Sequence, residues 1–280
     1  MVSAEHEQQV YARQRGYGMA QVIIAEQVDI EVSADRGGSG EGEASSMGAF
    51  VARPAVAGDY PVVLIGSELW GVTDDVRAIA RRVAELGYVA IAPNLYHRAG
   101  PATATGMPQN DVNRQRGFAF IERLTRDEVE SDLRAAVAYA RTHAGNAAKT
   151  GMLGFSLGGH VTYFAATRLG LAAAAIYFPG WLTEAGTALS RPEPLLASTT
   201  DIAEHGTRVR LFFAEEDHII DAHQREQIAD ALVSAGVRHE MSVYPGAQHA
   251  FFFPGPASYD KEAAEDSWRL VEELFADELH

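Results

Sequence analysis

The sequence predicts an α/β fold: a mostly parallel central sheet with helices on both faces. Short apolar runs recur along the chain, and between them lie segments whose apolar residues follow helical spacing. Strands regularly separated by helices pair in parallel and are covered on both sides. A second observation is the punctuation of the helical segments. Thr73, Thr125 and Asp221 stand where side chains cap free amides, and Gly87 and Gly236 stand at two of the ends. The third is the stretch Gly154-Phe155-Ser156-Leu157-Gly158, placed where an apolar run passes into a helical one. Together they predict a single domain over residues 21–280, preceded by an N-terminal extension over residues 1–20.

Taken in order, Val22–Val32 and Met47–Arg53 alternate as half-buried strands do. The Gly- and Glu-rich stretch Asp35–Glu43 joins them as a long, mobile hairpin connection. Tyr60–Ser67 is a buried strand. Thr73 then caps a helix with Asp74 and Asp75 in its first turn, where negative charge suits the helix dipole. Val76, Ile79, Ala80, Val83 and Leu86 mark its apolar face, and Tyr88–Ala92 is the next strand. Pro101–Leu124, with Phe118 and Phe120, reads either as a flap over a site or as a solvated connecting segment. Thr125–Glu128 has the form of a capping box, and Val129, Leu133, Ala136, Val137 and Ala140 form the face of the helix behind it. Thr150–Phe155 is a strand and Leu157–Leu169 a helix. Leu171–Phe178, Arg208–Ala214 and His239–Tyr244 are further strands. Asp221 caps a helix ending near Gly236, and Ser258–Leu279 is a final amphipathic helix.

Composition narrows the function. A net charge of −15 over 280 residues argues against a nucleic-acid binder, which would show a basic stripe. The absence of cysteine removes disulfides, thiolate nucleophiles and cysteine metal sites. The first residues lack a signal-peptide core, and the longest apolar stretch, Leu169–Pro179, is broken by Gly170 and too short to span a bilayer. The expectation is a soluble, cytoplasmic protein, monomer or homodimer, with no membrane or nucleic-acid partner.

The G-x-S-x-G stretch has the strand before and helix after that a nucleophile elbow requires. Cβ atoms at Gly154 and Gly158 would collide in so sharp a turn, and the Leu157 amide at the helix N-terminus would face a developing oxyanion. A serine nucleophile needs a base, and the base an orienting carboxylate, in the order Ser, acid, His. Of ten histidines, His249 follows the last strand and so lies over the carboxyl edge of the sheet. His160 is carried one helical turn below the elbow and reads as a packing or capping residue. Asp217, after the strand Arg208–Ala214, is the first choice for the acid, with Glu216 second; Asp221 is more simply a helix cap. His218, Asp221 and His223 could be drawn as a metal cluster, but no further ligands converge on them and they read as solvated loop residues. No metal is expected.

Four segments together resemble the dienelactone hydrolase family of α/β-hydrolases: Ser67–Arg98 (SELWGVTDDVRAIARRVAELGYVAIAPNLYHR), Gly154–His160 (GFSLGGH), Glu215–Ile220 (EEDHII) and Tyr244–Phe251 (YPGAQHAF). The resemblance implies an α/β-hydrolase fold without a large separate cap, cleaving lactones or esters without metal or organic cofactor. It implies Ser156 as nucleophile, Asp217 as acid, His249 as base, and the amides of Leu69 and Leu157 as the oxyanion hole. Glu68 matches an acidic pocket residue that meets the resting nucleophile, and Arg98 matches one of two arginines that grip a substrate carboxylate.

Two departures stand out. The founding enzymes carry cysteine where this chain has Ser156, which shifts the expectation towards ordinary ester hydrolysis and leaves Glu68 with a substrate, a water or its own loop as partner. After His249 the chain runs Ala250-Phe251-Phe252-Phe253 with no arginine, so Phe251 is expected in an aromatic site wall. Trp70, next to the predicted oxyanion amide, is expected to line the pocket unless it is a core residue, and Trp181 is a further candidate wall. A less polar or larger acyl substrate follows. An acyltransferase or biosynthetic cyclase would use the same triad, and a non-catalytic binding protein could use the same scaffold.

Overall fold

The computed structural model describes residues 21–32, 45–143 and 149–280. The predicted extension over residues 1–20 and the hairpin connection Asp35–Glu43 lie outside the described residues. Among the described residues eight strands form one sheet: β1 (Ile23–Val32), β2 (Ser45–Pro54), β3 (Val62–Gly66), β4 (Val89–Pro93), β5 (Thr150–Phe155), β6 (Ala173–Tyr177), β7 (Arg208–Ala214) and β8 (His239–Tyr244). Their order across the sheet is β1-β2-β4-β3-β5-β6-β7-β8. The first two strands pair antiparallel with each other, β2 pairs antiparallel with β4, and every remaining pairing is parallel.

Burial explains the sequence patterns. Every residue of β3, β4, β5 and β6 is buried, as parallel strands covered on both faces must be, and their runs are accordingly continuous and apolar. The outer strands β1 and β8 keep partly exposed positions.

The helices are α1 (Asp74–Glu85), α2 (Asp111–Ile121), α3 (Arg126–His143), α4 (Leu157–Arg168), α5 (Thr199–His205), α6 (Ala222–Ser234) and α7 (Lys261–Leu279). The capping predictions hold at α1 and α6. The Val76 amide reaches Thr73 Oγ1, and Asp221 and Gln224 form a reciprocal box. α1 meets α7 through the Arg82 guanidinium over the Trp268 ring, at 4.0 Å. α3 and α4 pack against each other and against the sheet. Among the described residues no helix is long and apolar enough to cross a membrane.

Strand order decides where a site can form. Chain direction across the sheet reverses around β3, whose neighbours β4 and β5 leave in opposite senses of sequence, so the loops after β3 and β5 open a crevice at their carboxyl ends. Those loops carry Glu68–Trp70 and Ser156. The helix α2, which interrupts the segment read as flap or connection, packs on the first of them: a methyl group at Gly117 would lie 2.7 Å from Leu69 Cγ.

Candidate active site

β5 delivers Ser156 into a strained turn with φ 53° and ψ −112°, a conformation that costs a non-glycine residue on the order of 1–3 kcal/mol. The turn brings α4 against β3 and needs its glycines. A Cβ at Gly154 would meet the Gly158 carbonyl oxygen at 2.1 Å and Thr162 Oγ1 at 2.3 Å; one at Gly158 would meet the Gly66 oxygen at 2.1 Å. The Ser156 amide donates to the Tyr177 carbonyl at 3.0 Å, pinning the elbow to β6.

From this turn the Ser156 hydroxyl lies 3.0 Å from His249 Nε2, and His249 Nδ1 lies 2.8 Å from Asp217 Oδ2. The other oxygen of Asp217 accepts from the amides of Ile219 (2.8 Å) and Ile220 (3.1 Å), so the buried carboxylate is satisfied on both sides. With Asp217 accepting at Nδ1, the proton sits there and Nε2 faces the serine as acceptor. The loops after β7 and β8 are stitched together, the Glu216 amide donating to the Ala247 carbonyl at 2.9 Å and the Gly246 amide to Glu215 Oε2 at 3.0 Å. Glu216 is exposed and Asp221 is used as the α6 cap, which leaves Asp217 as the carboxylate in contact with His249.

The Leu157 amide opens α4 and has no partner one turn earlier. Leu69 sits in a turn closed by the Gly71 amide on the Glu68 carbonyl, at 3.1 Å. Neither amide donates a hydrogen bond among the described residues. Gly66 pairs with Gly154 across β3 and β5, so the two turns leave the sheet side by side. Glu68 is half-buried, and burial, followed by the charge of Asp75, pushes its carboxyl up to about 8; it is therefore protonated at neutral pH. Its side chain does not hydrogen-bond Ser156. Trp70 is half-buried, and its carbonyl accepts from the Met107 amide at 2.7 Å.

Two expected substrate contacts are corrected. Arg98 does not stand free as half of a carboxylate clamp. Its guanidinium forms a two-pronged pair with Asp132 (2.7 and 2.8 Å), and His97 Nε2 approaches the same carboxylate at 3.2 Å. Asp132 is fully buried, and a charge in that position needs a cation beside it. Phe251 is not a site wall either. It is wholly buried, packed on Phe178 and Tyr244 (ring centroids 5.3 and 5.2 Å), and with Phe252 and Phe253 belongs to an aromatic core under His249. Phe178 links that core to the His249 ring, at 5.0 Å.

His160 packs as expected. It is fully buried, with Nδ1 donating to the Gly180 carbonyl at 2.9 Å and Nε2 accepting from the Leu189 amide at 3.2 Å; burial lowers its pKa to about 4. His218 and His223 are exposed. Among the described residues no group of acidic, histidine or cysteine side chains could hold a metal.

Sequence reasoning missed Tyr96. Its buried hydroxyl donates to the Leu69 carbonyl at 3.2 Å, which anchors the Leu69 turn, and burial pushes its pKa well above the usual value. The only signal for it was the position of the tyrosine just past β4, which faces the same edge of the sheet.

Fold and site define an α/β-hydrolase: a mostly parallel sheet with a serine on a strained elbow, in contact with a histidine that in turn meets a buried aspartate. The family model for the dienelactone hydrolase family matches residues 47–279. A Synechocystis protein provisionally named a carboxymethylenebutenolidase is 37% identical over 82% of this chain and 91% of its own length. A Methylorubrum extorquens protein with the same provisional name is 31% identical, over 81% of this chain and 75% of its own. The crystal structure of a provisionally assigned dienelactone hydrolase from Klebsiella pneumoniae superposes with a TM-score of 0.76 and 30% identity, covering 91% of this chain and 98% of that one. The chain belongs to the dienelactone hydrolase family and is a hydrolase of esters or lactones.

Proposed function

We propose that the protein is a serine hydrolase that cleaves a carboxylic ester or lactone through an acyl-enzyme on Ser156. His249 takes the hydroxyl proton as Ser156 Oγ attacks the carbonyl carbon, and Asp217 holds the imidazole in the required tautomer and orientation. The amides of Leu69 and Leu157 receive the oxyanion; such a donor is worth about 2.7–4 kcal/mol. The tetrahedral intermediate collapses, and His249 returns the proton to the leaving alkoxide, which in a lactone stays tethered to the acyl group. Water then attacks the acyl-enzyme, giving a proton to His249; this second tetrahedral intermediate expels Ser156 Oγ, which takes the proton back from His249 as the acid is released. Trp70, beside the oxyanion turn, borders the bound substrate.

The observation that carries this reading is the unbroken chain Ser156–His249–Asp217, at 3.0 and 2.8 Å, starting from a strained elbow. Serine fits it chemically. A hydroxyl is neutral and weakly nucleophilic at rest, so it depends on a base already in contact. Protonated Glu68 adds no negative charge near the oxyanion at neutral pH.

The test is turnover of p-nitrophenyl acetate and a simple lactone by Ser156→Ala, with folding checked by circular dichroism. The expected loss in kcat is about 10⁶-fold, as for other triad nucleophiles. Turnover at the wild-type rate would end the proposal.

A further inference from the structure

With Arg98 committed to Asp132 and Phe251 buried, substrate selection has to come from other residues. A continuous path of contacts runs around the triad. Starting at the oxyanion turn, Leu69 packs on Gly117 of α2. The next residue, Phe118, is 45% exposed and meets Trp181 edge-on, with centroids 6.5 Å apart. Trp181 in turn lies edge-on to His160, one turn below Ser156, at 6.1 Å. Its neighbour Gly180 adjoins Ile219: a methyl group there would sit 3.6 Å from Ile219 Cγ2. Ile219 is 39% exposed, donates its amide to Asp217, and follows His218, whose ring approaches that of His249 at 5.9 Å. The path thus leaves the oxyanion turn and returns at the base.

Three large apolar side chains, from three different segments, stand partly exposed along this path. On α2 the flanking arginines have partners, Arg114 facing Asp111 and Arg116 facing Asn113 and the Phe120 ring, while His218, beside Ile219, packs its ring edge-on to His249. Trp181 is also held in an unusual backbone conformation, with φ 60°. A tryptophan fixed this way, between Phe118 and the buried histidine one helical turn from Ser156, offers a rigid apolar surface.

We propose that Phe118, Trp181 and Ile219 form an apolar lip that makes the enzyme select uncharged esters and lactones carrying an alkyl or aryl group, in preference to substrates carrying a carboxylate. The inference rests on the Ser156 mechanism proposed above. The lip covers apolar substrate surface as the ester carbonyl enters the site. It offers no partner to a carboxylate, which would lose hydration there without compensation.

The experiment compares p-nitrophenyl acetate, butyrate and hexanoate with p-nitrophenyl hemiglutarate, which has similar length and a terminal carboxylate. The expected result is a rise in kcat/KM of about fourfold for each covered methylene, and hemiglutarate turned over at least tenfold more slowly than butyrate. Phe118→Ser and Ile219→Ser, both at exposed positions, are expected to flatten the chain-length dependence, read as the ratio of hexanoate to acetate kcat/KM within each variant. Trp181→Phe, which keeps an aromatic ring against His160, should flatten it less. A flat wild-type series, a preference for hemiglutarate, or equal losses on acetate and hexanoate in the variants would overturn the lip while leaving the mechanism intact. Absence of turnover on every ester would count against the mechanism itself.

Discussion

The elbow after β5 and the turn after β3 lie side by side, yet they are held in different ways. The elbow is fixed by its own backbone. Gly154, Gly158 and Gly66 permit contacts that no Cβ would allow, and the Ser156 amide is tied to the adjacent strand. The Glu68–Gly71 turn is fixed by contacts from later in the chain: the Tyr96 hydroxyl on the Leu69 carbonyl, the Met107 amide on the Trp70 carbonyl, and α2 against the Leu69 side chain. A motif can encode the first kind of support within a few residues. The second kind arises only when distant segments fold together.

The sharpest break is expected at the elbow. Gly154→Ala places a methyl 2.1 Å from a backbone oxygen that cannot move without displacing α4. A loss of more than about 4 kcal/mol in urea-induced unfolding, or failure to obtain folded protein, is the expected outcome. Next comes Arg98→Met, which removes the cation beside buried Asp132 in the segment that carries Tyr96. It is expected to cost about 3 kcal/mol of stability, and the double variant Arg98→Met/Asp132→Leu to recover most of it. If the single variant were as stable as wild type and instead raised KM for anionic esters only, the clamp role would return.

How much was legible in the sequence follows the same division. The β5–α4 junction, the strand ends and the meeting of Ser156, His249 and Asp217 at one edge of the sheet were readable because each depends on local backbone constraint or on position along the sheet. The fate of Arg98 was not read, although its partner left a trace. Asp132 sits on the same stripe of α3 as Val129, Leu133 and Ala136, and an acid on a buried stripe calls for a cation. Phe251–Phe253 misled because three successive aromatics after a histidine suggest a cleft. They instead fill the space beneath it, around Phe155 and Tyr177. The helix α2 escaped because it has no apolar stripe and contains Gly117, a residue present to admit the Leu69 side chain.

Smaller effects separate the turn from the elbow. Tyr96→Phe deletes one hydrogen bond to the Leu69 peptide, and a roughly fivefold fall in kcat with KM nearly unchanged is expected from the loss of about 1 kcal/mol of orientation. A change in KM alone would assign Tyr96 to substrate binding. The smallest effect concerns Glu68. Its folded pKa of about 8 lies above that of a free carboxyl, so the folded state holds a proton that the unfolded state has released between about pH 4.5 and 8. Stability contributed by that proton is therefore lost as pH rises towards 8, and above it a negative charge stands near the oxyanion turn. Wild-type kcat/KM is expected to decline through about pH 8, and Glu68→Gln to remove that decline and be the more stable protein at pH 9. An unchanged alkaline limb in the variant would place the titrating group elsewhere.

The most direct measurement is labelling with a fluorophosphonate, followed by peptide mass spectrometry and assay of residual turnover. Stoichiometric modification of Ser156 is expected, in step with loss of esterase activity, and His249→Ala is expected to abolish labelling. Full activity in protein whose Ser156 is unmodified after exhaustive treatment, or loss of activity with the label on another residue, would contradict a nucleophilic Ser156.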